Sequence, residues 1–91
     1  MKQLEEVSSE WRLNRKGNGL RRIVRTDDFL SAFALVTKLT ILAECQNHHP
    51  DLTLKYGKVQ IDITTHDSNG LTKKDFLLAK AIDKAFAAKA E

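Results

Sequence analysis

The chain has a single proline, Pro50, and it stands just beyond a long apolar run. From Phe29 to about Gln46 there is neither glycine nor proline, and apolar residues recur at spacings of three and four, the period of a helix. Phe29, Phe33, Val36, Thr40 and Ala43 fall on one stripe, and Ala32, Leu35, Leu39 and Leu42 on the next. Together they predict a broad buried face, with the phenylalanines in the core and Ser31 and Lys38 facing water. Thr26, Asp27 and Asp28 offer caps and negative charge at the positive end of this helix. Pro50 disfavours helical backbone at His49, so the chain must leave the helix through an extended or turned His48-His49-Pro50 segment.

On either side of this helix the pattern changes to alternation. Trp11-Arg12-Leu13-Asn14 and Leu20 to Arg25 read as two strands joined by the turn Lys16-Gly17-Asn18-Gly19. Leu52 to Tyr56 and Val59 to Thr64 form a second pair around Gly57, with Val59, Ile61 and Ile63 on one face and Gln60, Asp62 and Thr64 on the other. Asp67 to Gly70 is a turn. Thr72 then opens a final helix as N-cap, with Asp75 three residues on in a capping-box arrangement and Leu71 and Phe76 placed as a staple. Leu78, Ile82, Ala85 and Phe86 make its inward stripe. The order is β-β-α-β-β-α, an α+β, two-layer fold with a four-stranded antiparallel sheet and two helices on one face. Residues 1–10 read as an N-terminal arm or short helix, and residues 11–91 as a single domain.

Composition narrows the function classes. One cysteine, Cys45, excludes an internal disulfide and a multi-cysteine zinc site, which suits a cytoplasmic protein. Its place in the helix predicts a packed side chain rather than a nucleophile. No apolar run reaches the ~20 residues expected of a membrane span, and Met1 to Trp11 lacks a signal-peptide core. The net charge is +3, with Arg12, Arg15, Lys16, Arg21, Arg22 and Arg25 clustered in the first hairpin. With only Trp11 nearby, there is no stacking platform for single strands, so the cluster reads as a solvated strand pair and nucleic acid as an unlikely partner.

All three histidines, His48, His49 and His66, bracket the second hairpin, whose closure brings distant residues together. Histidine titrates near working pH. A three-histidine metal site is awkward, because adjacent residues in extended chain project to opposite sides and no H-x-H or H-E-x-x-H pattern occurs. A structural role, capping the helix end or holding a turn, accounts for any one of them. General acid–base catalysis accounts for three together, with Glu44 or Asp67 fixing an imidazole tautomer. Neither a G-x-S-x-G elbow nor a phosphate loop is present.

These residues resemble the pterin-4a-carbinolamine dehydratase family. The likeness rests on E-x-x-x-H-H-P from Glu44 to Pro50, on Tyr56 and Val59, on T-H-D from Thr65 to Asp67, and on G-L-T-K-K-D from Gly70 to Asp75. Upstream, Trp11 and D-F-x-x-A-F from Asp28 to Phe33 also look like the family pattern. The resemblance implies the same element order and a reaction that needs no metal or organic cofactor: loss of water from 4a-hydroxytetrahydrobiopterin to give quinonoid dihydropterin. It implies His48, His49 and His66 as catalytic residues, Pro50 as shaping the loop, and Glu44, Asp67 and Asp75 as supporting or substrate-contacting positions. Asp75 has helix capping as its alternative role. Trp11 would lie at the pocket edge or simply pack in the core. It further implies a homo-oligomer, dimer or tetramer, and a functional link to an aromatic amino acid hydroxylase. Two other readings stay open: a non-catalytic dimerisation or transcription-cofactor-like module on the same fold, and action on a different pterin, such as one linked to molybdenum cofactor biology.

Overall fold

The computed structural model describes residues 7–64 and 71–89. Strands β1 (Arg12–Leu13) and β2 (Leu20–Arg25) are followed by helix α1 (Phe29–Gln46), then by β3 (Asp51–Lys55), β4 (Lys58–Ile63) and helix α2 (Lys73–Lys89). The strands form one antiparallel sheet in the order β1-β2-β4-β3. The α+β order read from the sequence is therefore the order of the fold, with both helices sharing one core with the sheet.

Alternation decides which side chains enter that core. Val59, Ile61 and Ile63 of β4 and Leu20 of β2 are buried, and Ala32, Leu35 and Leu39 of α1 meet them together with Phe76, Leu78, Ala79 and Ile82 of α2. Burial of this apolar surface is the main stabilising term, at ~25 cal/mol per Å². The first hairpin turns where predicted. Gly17 holds φ +73°, and a Cβ at Gly19 would meet Asn14 Nδ2 at 2.7 Å and the Ile63 carbonyl oxygen at 3.2 Å. The first strand is shorter than the alternation of Trp11 to Asn14 predicts, because Asn14 is already in the turn, where its N–H donates to the Gly19 carbonyl at 2.9 Å.

Helix α1 departs from the expectation for its phenylalanines. Ala32, Leu35, Leu39 and Ala43 are its buried residues, whereas Phe29 and Phe33 are about half exposed. Thr40, read as inward, is exposed and turns its hydroxyl to the Val36 carbonyl at 2.8 Å. Cys45 is helical as read but exposed rather than packed. The physical reason is that α1 is apolar around most of its circumference, while the sheet and α2 cover one side. Periodicity identifies the stripes but not which neighbouring stripe faces in. Over its 18 residues α1 has a mean hydropathy of 1.4, enough by length and composition to cross a bilayer, but it packs against β3, β4 and α2.

A second anchor fastens the start of the described chain. Asp83 Oδ1 accepts from Trp11 Nε1 and from Arg22 Nη1, both at 2.7 Å, and Asp83 Oδ2 accepts from the Ser8 N–H at 2.8 Å. The Arg22 guanidinium also lies over the Trp11 ring, 5.9 Å from its centroid.

Candidate functional site

The site is built where α1 ends. Asn47 takes the left-handed conformation, φ 50° and ψ 43°, and the His48 N–H donates to the Ala43 carbonyl at 3.1 Å. This closes the helix and redirects the chain. Pro50 then sets extended backbone into β3. Between these two fixed points His48 and His49 leave the chain in different directions, as neighbours in non-helical backbone do.

Their surroundings differ accordingly. The His48 side chain is only 10% exposed, and its Nε2 lies 2.6 Å from Asp75 Oδ1, a carboxylate with no solvent exposure. The other Asp75 oxygen accepts from the Thr72 N–H at 2.8 Å. One Asp75 oxygen thus closes the start of α2, and the other meets a histidine. When the Asp75 carboxylate is ionised it can only accept, and His48 Nε2 then carries the proton in this contact. Nδ1 is then the nitrogen with a free lone pair in the neutral ring.

His49 sits in water. Its Nε2 is 2.7 Å from Glu44 Oε2, and the two side chains are 60% and 70% exposed. Glu44 reaches it from the last turn of α1, five residues back. The arrangement gives two imidazoles at one helix end, each bonded to a carboxylate through Nε2. One is held by the interior and one by the surface. Such a pair can donate and accept protons at neighbouring points on a bound molecule.

Trp11 is buried and donates its indole N–H to Asp83. Pro50 is half-buried. His66 and Asp67 lie outside the described residues, as do the first six residues of the expected arm. Sequence reading missed Asp83. Its signal was only an acidic residue on the polar flank of a helix whose partners, Ser8, Trp11 and Arg22, lie more than 60 residues away.

Comparison with known proteins bears on this geometry. The family model described as pterin 4 alpha carbinolamine dehydratase matches residues 1–85. A relative from Chloroflexus aggregans that carries the assigned name pterin-4-alpha-carbinolamine dehydratase is 47% identical over 75 residues, covering 82% of this chain and 79% of its own. One of the same assigned name from Trichodesmium erythraeum is 49% identical over 74 residues, covering 81% and 77%. The crystal structure of a transcriptional coactivator/pterin dehydratase from Brucella melitensis superposes with a TM-score of 0.81 at 25% identity, covering 91% of this chain and 87% of that one.

Proposed function

Since the chain belongs to the pterin 4 alpha carbinolamine dehydratase family, we propose that it removes water from 4a-hydroxytetrahydrobiopterin to give quinonoid dihydropterin by histidine acid–base catalysis. The observation that carries this reading is the 2.6 Å contact between His48 Nε2 and the buried Asp75 carboxylate, beside the exposed His49–Glu44 pair. In the reaction the C4a–O bond breaks and the hydroxyl departs as water after receiving one proton. A nitrogen of the pterin loses one proton, and the electron pair from that N–H bond forms the new double bond. No net electron or proton is consumed, so an acid and a base suffice. Positioned groups of this kind contribute ~10²–10⁴-fold each.

His48, His49 and His66 are the catalytic residues of this proposal, with Glu44, Asp67 and Asp75 as positioning residues and Pro50 as the shape of the loop. The protein acts in the cytoplasm, recycling the pterin used by an aromatic amino acid hydroxylase, and as a homo-oligomer. A second reading, a non-catalytic dimerisation or coactivator-like module, is favoured by one observation: the outer side of α1 leaves Leu30, Phe33 and Ile41 74%, 55% and 59% exposed. The name of the Brucella melitensis structure includes both activities.

The test is dehydration of freshly generated 4a-hydroxytetrahydrobiopterin by purified protein in the presence of a chelator, for wild type and for His48→Ala, His49→Ala and His66→Ala. Turnover that survives chelation and falls in folded variants supports histidine catalysis. A folded wild type without turnover supports the module instead.

A further inference from the structure

The sheet face turned away from the helices carries its side chains in transverse rows fixed by strand register. The first row runs Arg12, Arg21, Asp62, Asp51 across all four strands. It is neutral, and Arg21 Nε bonds Asp62 Oδ1 at 2.7 Å. The second row, Ile23, Gln60, Thr53, carries no charge. The third runs Arg25, Lys58, Lys55: three cations directly opposite one another on three adjacent strands. None of these three has an ion pair among the described residues. Nearby in sequence, Asp28 is held by the Ser31 N–H at 2.7 Å.

Like charges directly opposite on neighbouring strands oppose pairing. In the first row the central Arg21–Asp62 pair joins opposite charges across β2 and β4, whereas the third row holds cations alone, so it points outward to an anion. Its geometry suggests which kind. At ~4.8 Å between strands, the row spans about 10 Å. One strand of a nucleic-acid duplex carries a phosphate every ~3.4 Å of axis, about three over that length. The row's apolar surroundings amount to Ile23 and the exposed Tyr56 of the β3–β4 turn. That is too little for the buried anchor cluster of a protein interface, and a single aromatic gives no stacking platform for a single strand. We propose that the outer sheet face at Arg25, Lys58 and Lys55 binds the phosphate backbone of duplex nucleic acid without reading its sequence.

The contact is electrostatic, so salt is the diagnostic. Fluorescence anisotropy of a labelled 20-base-pair duplex of arbitrary sequence, titrated with the intact protein, is expected to give a dissociation constant in the ~10⁻⁴–10⁻⁶ M range near physiological salt. The slope of log affinity against log salt is expected near −3 for about three neutralised phosphates. The variant Lys55→Gln/Lys58→Gln should lose about tenfold in affinity and about two units of slope, while its circular dichroism and Tm are held or improved. Lys38→Gln/Lys84→Gln, with the same change of net charge on the helices, should bind as wild type. Equal loss in both double variants would reduce the effect to net charge and overturn the site. Equal capture of polyglutamate, or of phosphatidylserine vesicles in place of the duplex, would assign the face to an acidic protein or a membrane surface and overturn it as well.

Discussion

His48 Nε2 and Asp75 Oδ1 are 2.6 Å apart, although 27 residues separate them in the chain and a complete hairpin lies between. The carboxylate is wholly buried and spends its second oxygen on the Thr72 N–H, so it cannot turn away from the ring without breaking the start of α2. Asp75 therefore fixes the orientation of His48 and, when ionised, selects its tautomer.

Replacing it as Asp75→Asn tests this link. The amide can still accept from Thr72, but it then presents N–H groups to His48 and forces the proton onto Nδ1. Dehydration should fall by ~10²–10⁴-fold in kcat, with the fold retained by circular dichroism. Glu44→Gln, at an exposed pair worth about 0–1 kcal/mol, should leave the denaturation midpoint nearly unmoved. A kcat loss in Asp75→Asn no larger than in Glu44→Gln would remove the positioning role.

The start of α1 carries an acid-sensitive cap. Asp28 accepts from the Ser31 backbone N–H and bonds its side chain, and these contacts hold its pKa below the usual 3.8. A lowered folded pKa means that the cap's full contribution is present above the unfolded value and is lost as pH falls through the folded one. Tm of wild type should exceed that of Asp28→Ala by a constant margin from about pH 5 to 7, and the margin should shrink below about pH 4. Asp28→Asn, which caps without titrating, should show a flatter profile over the same range. A margin that does not change with pH would mean that the carboxylate charge adds nothing to the cap.

Asp83 joins the beginning of the described chain to its last helix. Asp83→Ala leaves the Trp11 indole, the Arg22 guanidinium and the Ser8 N–H without this acceptor, in a setting where the Arg22 and Asp83 side chains are only 14% and 20% exposed. The expected cost is ~2–4 kcal/mol, read as a lower midpoint in urea with an unchanged m-value. A loss under 1 kcal/mol would show that water replaces these contacts freely.

The outer stripe of α1 tests assembly. Leu30, Phe33 and Ile41, three and then eight residues apart, lie on one side of the helix. Phe33→Glu/Ile41→Glu should convert a sedimenting oligomer to a monomer while leaving the helix content intact. A monomeric wild type would instead leave the stripe without a partner of its own kind.

Much of the fold was legible because its signals are local. The alternation of Val59, Ile61 and Ile63, the turn at Gly17 to Gly19, the break at Pro50 and the Thr72–Asp75 cap each act within a few residues. What escaped depends on where elements land after folding. Phe29 and Phe33 carry the same periodicity as residues that are buried, and only the width of the sheet beneath α1 leaves them outside. Trp11 has a sequence neighbourhood compatible with a pocket edge, and its indole is claimed by a carboxylate 72 residues away. His48 and His49 look alike in sequence. Their division into an interior and a surface pair follows from the Asn47 bend and from the distance each can reach.

Asn47 bears a consequence for how this chain tolerates change. Its side chain has no assigned task at the site, yet its left-handed backbone aims both histidines that follow. Glycine enters that conformation freely, whereas β-branched or bulky residues meet a penalty of ~1–2 kcal/mol. A saturation library at position 47 should therefore be narrow, rich in glycine and asparagine and poor in valine and isoleucine. The neighbouring exposed Gln46, in ordinary helical backbone, should accept nearly any residue. The accuracy of the histidine pair is in that sense inherited from a dihedral angle.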